Sequence, residues 1–574
     1  MEKIEKNFTQ LLKAVFPHKE DFEVVAGNTD GCVVSSLVYD SRAVKPGSLY
    51  FAWPGVHVHG NTYIAKAVEA GAAAVIFQDE IPPDVLEALR TAGTNSSAKR
   101  DVPLVKVKDS RFAMAPFAAA FYDNPSKKMV VIGVTGTEGK STTVSLIWQF
   151  LRLCGKKAGF FSTVQYSLGG DAVNNPEHQT TPEATVVQEK LYQMAQNGCE
   201  FAVVESSSHG LSKKLNRLGN VCFDVGIMMN VTSEHLEFHG TYEQYKSDKA
   251  NLFRALDECD HTKEILGKKV QVPSFGIVKA SDPAACYFAD CTKKDVYGFV
   301  MQNDKVIDGA ESALADVFVA DKIMSDSEGE FFSMHGTSAV DASTVFGENC
   351  AACANNICDI RDIRINLPGT FNVYNTMAAM LAVSGVLGVP VASLKDSAAK
   401  LLPVKGRMTV VDCGQPFEVI VDYAHTPSSF MTIFPPLRER LERESAKSGA
   451  AQKGRLIALF GSGGERDTKK RPEQGRIASE YCDIVILADE DPRGEDPMAL
   501  LEDIAAGCKN SRRNENLFLI PDRPTAIAKA FSLARPGDIV LLLGKAHENS
   551  IIYKDYVMPY DEISEAEKQL KRRI

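Results

Sequence analysis

At 574 residues the chain exceeds what a single hydrophobic core organises, so roughly two to four domains are expected. Hydrophobic residues make up 44% and charged residues 24%, which excludes a disordered chain and supplies apolar material for several cores. A formal net charge of −10 excludes a general nucleic-acid or anionic-membrane surface, so any phosphate site has to be built locally.

The opening MEKIEKNFTQLLKAVF alternates charged and apolar residues like an amphipathic helix and lacks the apolar core of a secretion signal. A β-rich block with turn signals runs from VVSSLVYDSRAVKPGSLYFAWPG through AGAAAVIF and ends before DNPSKK, which predicts a first domain over 1–125. Downstream, short apolar runs repeatedly end in polar chemistry. MVVIGV leads into TGTEGKS, FAVV into Glu205, FDVGIMM into Asn230, FEVIV into DYAHTP, RLIALF into GSGGERD, IVILA into DEDPRGED and DIVLLL into GKAHE. Such runs suit strands buried on both faces, with ligands beyond their carboxyl ends, and the fold class is α/β. The helix-like FNVYNTMAAMLAVSGVLG and the segment LLPVKGRM divide the runs into a middle domain over 126–404 and a C-terminal domain over 405–574. Residues 266–366 read as a strand-rich elaboration of the middle domain. The longest apolar passage, MAAMLAVSGVLGVPVASL, is cut by glycines, a serine and Pro390, so it predicts a buried helix and not a membrane span. Thirteen scattered cysteines predict reduced thiols in a cytoplasmic protein. Cys350, Cys353 and Cys358 in CAACANNIC include a C-x-x-C, but no second pair or H-x-H completes a zinc set.

GVTGTEGKSTT follows a strand-like run and precedes Val144, Ile147, Leu151 and Cys154 at helical spacing. This is the order of a phosphate loop. Gly136, Thr137, Glu138, Gly139, Lys140, Ser141 and Thr142 form the nucleotide-binding stretch, in which glycines admit phosphate oxygens to the backbone, Lys140 adds charge and Ser141 can ligate magnesium. The alternative is a glycine-rich turn with an incidental lysine. Glu205 and Ser141 supply oxygens for a magnesium ion, whereas a protonated Lys249 cannot coordinate one. Taken alone, His235 and Lys249 read as ordinary surface or satisfied residues.

TGTEGKSTT, TTPEAT, ESSSHGL, NVTSEHLEFHGTYEQYKSDKANLF, LPGTFNVYN, KGRM, VDYAHTP, FGSGGERDTKKRP, DEDPRGED and GKAHE occur in the order seen in the Mur ligases, and the chain resembles that family along almost its whole length. The resemblance implies a uridine-nucleotide domain, a central P-loop ATPase and a C-terminal Rossmann-like domain for an incoming amino acid. It implies an ATP- and Mg2+-dependent ligase, monomeric, that extends a UDP-N-acetylmuramoyl-dipeptide by a diamino acid through an acyl phosphate. Glu205, His235 and Lys249 match metal ligands, the lysine as a carbamate, with Lys140 and these three forming the catalytic set. Asn230, Asn372, Arg407, Asp422 and His425 match ATP-binding positions. Ser41, Thr180, Thr181 and Ser207 match contacts to the nucleotide-sugar peptide; Ser41 alone reads as a turn former. The family's arginine stands where this chain has Leu215, and Arg217 two residues later is the candidate in its place.

DEDPRGED sets five carboxylates around Arg493 and matches the loop that reads the added amino acid. Diaminopimelate-adding members have Asp-Asn-Pro-Arg there, the arginine gripping a distal carboxylate. Arg493, Arg466, Gly544 and Glu548 match those contacts, but Asp491 replaces the asparagine. Its charge would repel a second carboxylate and attract the ammonium of lysine or ornithine, unless it pairs with Arg493. Two further readings stay open: a folylpolyglutamate synthase-like ligase, against which TTPEAT, DPR and GKAHE speak, and an inactive nucleotide-binding regulator, against which the intact Lys140, Glu205, His235 and Lys249 speak.

Overall fold

The computed structural model describes residues 4–55, 58–95, 101–176, 179–325, 329–336, 359–448 and 453–573. The cluster of Cys350, Cys353 and Cys358 lies outside the described residues. Three sheets organise the rest. The first is ordered Phe22–Ala26, Leu104–Val107, Ala74–Phe77, Ser48–Ala52, Ser36–Val38, parallel except for its first pair. Against it packs Phe8–Val15, a helix shorter than the opening pattern suggests. Lys6–Asn7 instead pairs with Val33–Val34, and the Asn7 side chain caps the helix by accepting from Gln10 N.

The central sheet has eleven strands. Seven adjacent strands run parallel, in the order Ala158–Phe161, Phe201–Glu205, Val130–Thr135, Val225–Met228, Phe275–Lys279, Val296–Met301 and Asp316–Ser325. Beyond the last, Glu330–Gly336 and Asp359–Ile365 extend it antiparallel, so much of the stretch after 266 continues this sheet. The apolar runs are continuous because both faces are covered. Along Val130–Thr135, Val130, Ile132 and Val134 enter one core with Val144, Ile147 and Leu151, whereas Val131 enters the opposite core with Phe223 and Leu252. Each such side chain contributes on the order of 1.5–3 kcal/mol. Helix Phe371–Leu387 packs on helix Lys140–Leu153 and ends at Gly388, whose φ of +62° is the left-handed turn a glycine allows. Among the described residues no single helix is long and apolar enough to cross a membrane.

The third sheet is ordered Thr409–Val410, Glu418–Asp422, Ile539–Leu543, Leu456–Phe460, Ile484–Leu487, Leu517–Leu519, parallel except for its first pair. The carboxyl ends of its middle strands carry DYAHTP, GKAHE, GSGGERD and the DEDPRGED loop. Helix Glu562–Arg573 closes this unit through an ion pair between Glu562 and Arg523, 2.6 Å long with both side chains fully buried. The ten cysteines among the described residues are all unbridged.

Candidate active site

The loop after Val130–Thr135 turns into helix Lys140–Leu153 through Gly139 at φ +82°, where a Cβ would lie 2.7 Å from Asn375 Oδ1. Only glycine fits. Asn230 braces the loop: its Oδ1 accepts Thr137 N at 3.0 Å and Glu138 N at 2.8 Å. The first amide of the helix with an intrahelical-type partner is Thr143 N, bonded to Gly139 O at 2.9 Å, which leaves the amides of Lys140, Ser141 and Thr142 directed at the loop as an anion cradle. Lys140 Nζ is folded onto Thr137 O at 2.7 Å, and Thr137 Oγ1 meets Tyr245 OH at 3.0 Å.

Ser141 Oγ donates to Glu205 Oε2 at 2.9 Å, and Thr163 donates its backbone N–H to the same oxygen at 2.8 Å. These oxygens suit a hard cation, although no group of three His, Cys, Asp or Glu side chains that could hold a metal occurs among the described residues. A third oxygen ligand would have to come from elsewhere; Lys249 is buried against the loop backbone. Its Nζ donates to Gly136 O at 2.6 Å and is 2% exposed as a residue. Burial, reinforced by the Lys140 charge, pushes its pKa well below the ordinary lysine value. His235 sits at φ +55° with its ring 3.4 Å from Glu237 Oε1, 3.7 Å from Glu234 Oε1 and edge-on to His209; burial lowers its pKa.

The nucleotide-sugar candidates divide. Thr180, Thr181, Ser207 and Arg217 meet beside Glu205: Thr163 Oγ1 is 3.0 Å from Thr180 Oγ1, Thr181 Oγ1 donates to Glu205 O at 3.1 Å and Ser207 Oγ donates to Thr181 Oγ1 at 2.9 Å. Arg217 donates to Thr181 O at 3.1 Å and to Glu183 Oε1 at 2.7 Å. Glu183, inside TTPEAT, also receives Arg111 Nη2 at 2.8 Å, so it joins the first domain to the second; sequence reading passed over it although it follows Thr181 by two positions. Ser41 opens a short turn whose cap is Asp40, and among the described residues no hydrogen bond ties it to the others.

At the second boundary Arg407 reaches Ser141 Oγ at 3.5 Å while its guanidinium lies 4.8 Å over the Tyr423 ring. Asn372 accepts from Asn375 Nδ2 at 3.0 Å, and Asn375 Oδ1 accepts from Thr143 of the loop helix at 3.3 Å. Asp422 accepts Met408 N at 2.7 Å and Ala424 N at 2.8 Å, and burial raises its pKa against the lowering charge of Arg407. His425 Nδ1 lies 2.8 Å from Tyr423 O; burial, with the Lys470 charge next, brings its pKa down to about 4, so it is a neutral ring at neutral pH. Glu138 also crosses this boundary, accepting from Ser428 Oγ at 2.8 Å, with its pKa raised by burial.

In the amino-acid loop Asp491 does not pair with Arg493. Its Oδ1 takes Lys545 Nζ at 2.8 Å and Ile552 N at 3.0 Å, and Lys545, fully buried, also binds Glu548. Burial wins here because the lysine has no water to turn to. Arg493, at φ +53°, is held by its backbone N–H on Ile552 O at 2.9 Å, while its Nε is buried without a partner. Glu490 Oε2 is likewise without a partner, 2.7 Å from where a Cβ on Gly544 would stand. Arg466 is exposed at the neighbouring strand end. Beneath, Arg523 donates to Asp489 O at 3.1 Å and Leu543 O at 2.7 Å, stitching the two strand ends that carry this loop and GKAHE. In sequence Lys545 is not singled out, and Glu490, with Glu495 and Asp496, reads as a solvated rim without a role; the buried, unpartnered Oε2 of Glu490 corrects that reading.

Three family models match the chain: Mur ligase family, catalytic domain over 33–122, Mur ligase middle domain over 134–383, and Mur ligase, glutamate ligase domain over 406–546. A UDP-N-acetylmuramyl-tripeptide synthetase of Treponema denticola is 49% identical, over 98% of this chain and 98% of its own length. A UDP-N-acetylmuramoyl-L-alanyl-D-glutamate--2,6-diaminopimelate ligase of Geobacillus thermodenitrificans is 34% identical, over 95% and 96%. Among solved structures, a UDP-N-acetylmuramoyl-L-alanyl-D-glutamate--2,6-diaminopimelate ligase superposes with a TM-score of 0.57 at 23% identity, covering 98% of this chain and 99% of that one. The MurF ligase of Thermotoga maritima in complex with ADP gives 0.56 at 18% identity over 94% and 98%; both show the fold.

Proposed function

The chain belongs to the Mur ligase family, and on that premise we propose that it joins a diamino acid (meso-diaminopimelate, L-lysine or L-ornithine) to the D-glutamate of UDP-N-acetylmuramoyl-L-alanyl-D-glutamate at the expense of ATP. The observation that carries this reading is the meeting at Ser141 of three parts: the anion cradle of the loop, the Glu205 carboxylate at 2.9 Å and Arg407 from the C-terminal domain at 3.5 Å.

A carboxylate is a poor acyl donor, so an oxygen of the D-glutamate carboxylate first attacks the terminal phosphorus of ATP, the bond to the bridging oxygen breaks, ADP leaves and an acyl phosphate results. The helix amides from Lys140 to Thr142 bind phosphate oxygens, and Lys140 exchanges Thr137 O for the charge spreading over the transferring group. The amine then attacks the acyl carbon and phosphate leaves. Thr181, Ser207 and Arg217 hold the nucleotide-sugar peptide, while Arg466, Arg493, Gly544 and Glu548 hold the diamino acid. Orientation by both sets makes the encounter effectively unimolecular.

Ser141, Glu205, His235 and Lys249 as a carbamate would hold Mg2+. The depressed pKa of Lys249 favours the uncharged amine, the form that adds carbon dioxide, forming an N–C bond, releasing a proton and presenting two oxygens in place of an ammonium. Such an ion neutralises charge on the phosphates. The enzyme so read works as a monomer in the cytoplasm, with no nucleic-acid partner and no membrane insertion.

The test is phosphate release from ATP with magnesium, the uridine-linked dipeptide and each diamino acid separately. Release that requires the dipeptide and one diamino acid is expected; release with a folate and glutamate instead would overturn the reading. Lys249→Ala should lose ligation and recover part of it with added short carboxylic acids.

A further inference from the structure

The hydrogen bonds around His239 reach the segments of three of the four cation ligands assigned above, Glu205, His235 and Lys249, and the inference rests on that assignment. The His239 side chain is fully buried, with Nδ1 2.7 Å from Asp248 Oδ2 and Nε2 3.0 Å from Ser208 Oγ. An ionised carboxylate can only accept, so Nδ1 carries the hydrogen; in the neutral ring Nε2 then accepts the Ser208 hydroxyl. The second Asp248 oxygen accepts from Gln244 Nε2 at 3.0 Å. Ser208 and Asp248 are 2% and 4% exposed, so the row is cut off from water and each member depends on the next.

Its placement gives it a use. Ser208 opens the helix Ser208–Leu211, directly after the turn that leaves Glu205. His239 closes the helix Leu236–His239, whose N-cap is His235, and its amide donates to His235 O at 3.0 Å. Asp248 stands next to Lys249 on the helix Tyr242–Arg254. A strand end, a short helix and a long helix are separate segments of chain, and among the described residues no backbone–backbone hydrogen bond fixes one against another. The side-chain row does.

We propose that Ser208, His239 and Asp248 form a positioning relay that holds Glu205, His235 and Lys249 in mutual register for a divalent cation without touching it. Outer partners of this kind orient the ligands themselves, and losing one costs roughly 10–100-fold in metal affinity.

The experiment uses the full chain with Mn2+ as probe, its binding read by electron paramagnetic resonance beside a non-hydrolysable ATP analogue. In parallel, the Lys249 carbamate is read by NMR under 13C-labelled carbon dioxide. Ser208→Ala and Asp248→Asn should each bind Mn2+ roughly 10–100-fold more weakly and lose carbamate signal, with affinity for the uridine-linked dipeptide unchanged. Folded variants that bind Mn2+ as tightly as wild type would overturn the relay, and so would variants that weaken every ligand equally, the mark of a purely structural role. Should either variant fail to fold, His239→Asn, which keeps a donor toward Asp248 and gives up the acceptor for Ser208, carries the same comparison. Wild-type protein with neither a Mn2+ site nor a carbamate signal would instead overturn the cation reading, and the relay with it.

Discussion

The phosphate loop and the amino-acid loop handle buried charge in opposite ways. Around the first, both cations are turned onto the loop's own carbonyls, Lys140 onto Thr137 O and Lys249 onto Gly136 O, and Asn230 occupies two of its amides. Around the second, Lys545 absorbs Asp491 and Glu548, while Arg493 Nε and Glu490 Oε2 are left without partners. A phosphate carries enough charge to displace a lysine from a neutral carbonyl, so the first site can rest self-satisfied. A zwitterion is weakly charged overall, and it gains most from a guanidinium and a carboxylate that nothing else holds.

The sharpest way to break this contrast is at the loop lysine. Lys140→Ala should lower kcat roughly 10²–10³-fold or more, measured as phosphate release, because the displaced cation is what meets the transferring charge. Near-normal turnover would mean that the loop amides suffice. Next comes the lysine of the second site. Lys545→Met leaves two carboxylates without their cation, and breaking a buried pair in this way costs about 3–5 kcal/mol. We expect the KM for the amino acid to rise by well over an order of magnitude with the KM for ATP unchanged, and Asp491→Asn added to it to restore part of the loss. A double variant no better than the single would show that Lys545 serves Glu548 alone.

The smallest effect is one of pH. Burial pushes Asp489 up to about 6, so between the ordinary carboxylate range and that value the folded protein binds more protons than the unfolded chain. Stability should therefore fall as pH rises from about 4 to 6 and level off above, by about 1–2 kcal/mol in all once solvent screening is set against the roughly 3 kcal/mol of the full shift. Asp489→Asn should flatten the difference in urea midpoint between pH 5 and pH 7.5; an unchanged slope would assign it to other groups.

How much of this was legible depends on the range of the contact. The order strand, glycine loop, helix is local, and Val130–Thr135 and Lys140–Leu153 lie on either side of GTEG as periodicity implies. The buried helix at 371–387 was legible for the same reason: its glycines, its serine and Pro390 are local breaks in an apolar run. The partner of Asp491 could not be read in sequence, because Lys545 is 54 positions away. Glu183 was passed over within a motif that had already been read, since its two arginines come from 72 and 34 residues off. The late start of the first helix had the same cause, a strand pairing of Lys6–Asn7 with Val33–Val34 that no local pattern announces.

The pair between Arg523 and Glu562 has a consequence for biosynthesis. Arg523 is the brace under both halves of the amino-acid site, yet among the described residues the carboxylate it is bonded to, Glu562, lies 39 residues later in the chain. While the ribosome is still adding those residues, the brace would have to enter the core as an uncompensated cation, which is prohibitive. The pocket that chooses the amino acid is thus assembled only after Glu562 has emerged, whereas the phosphate loop, complete with Asn230 and Lys249, can be set far earlier in translation.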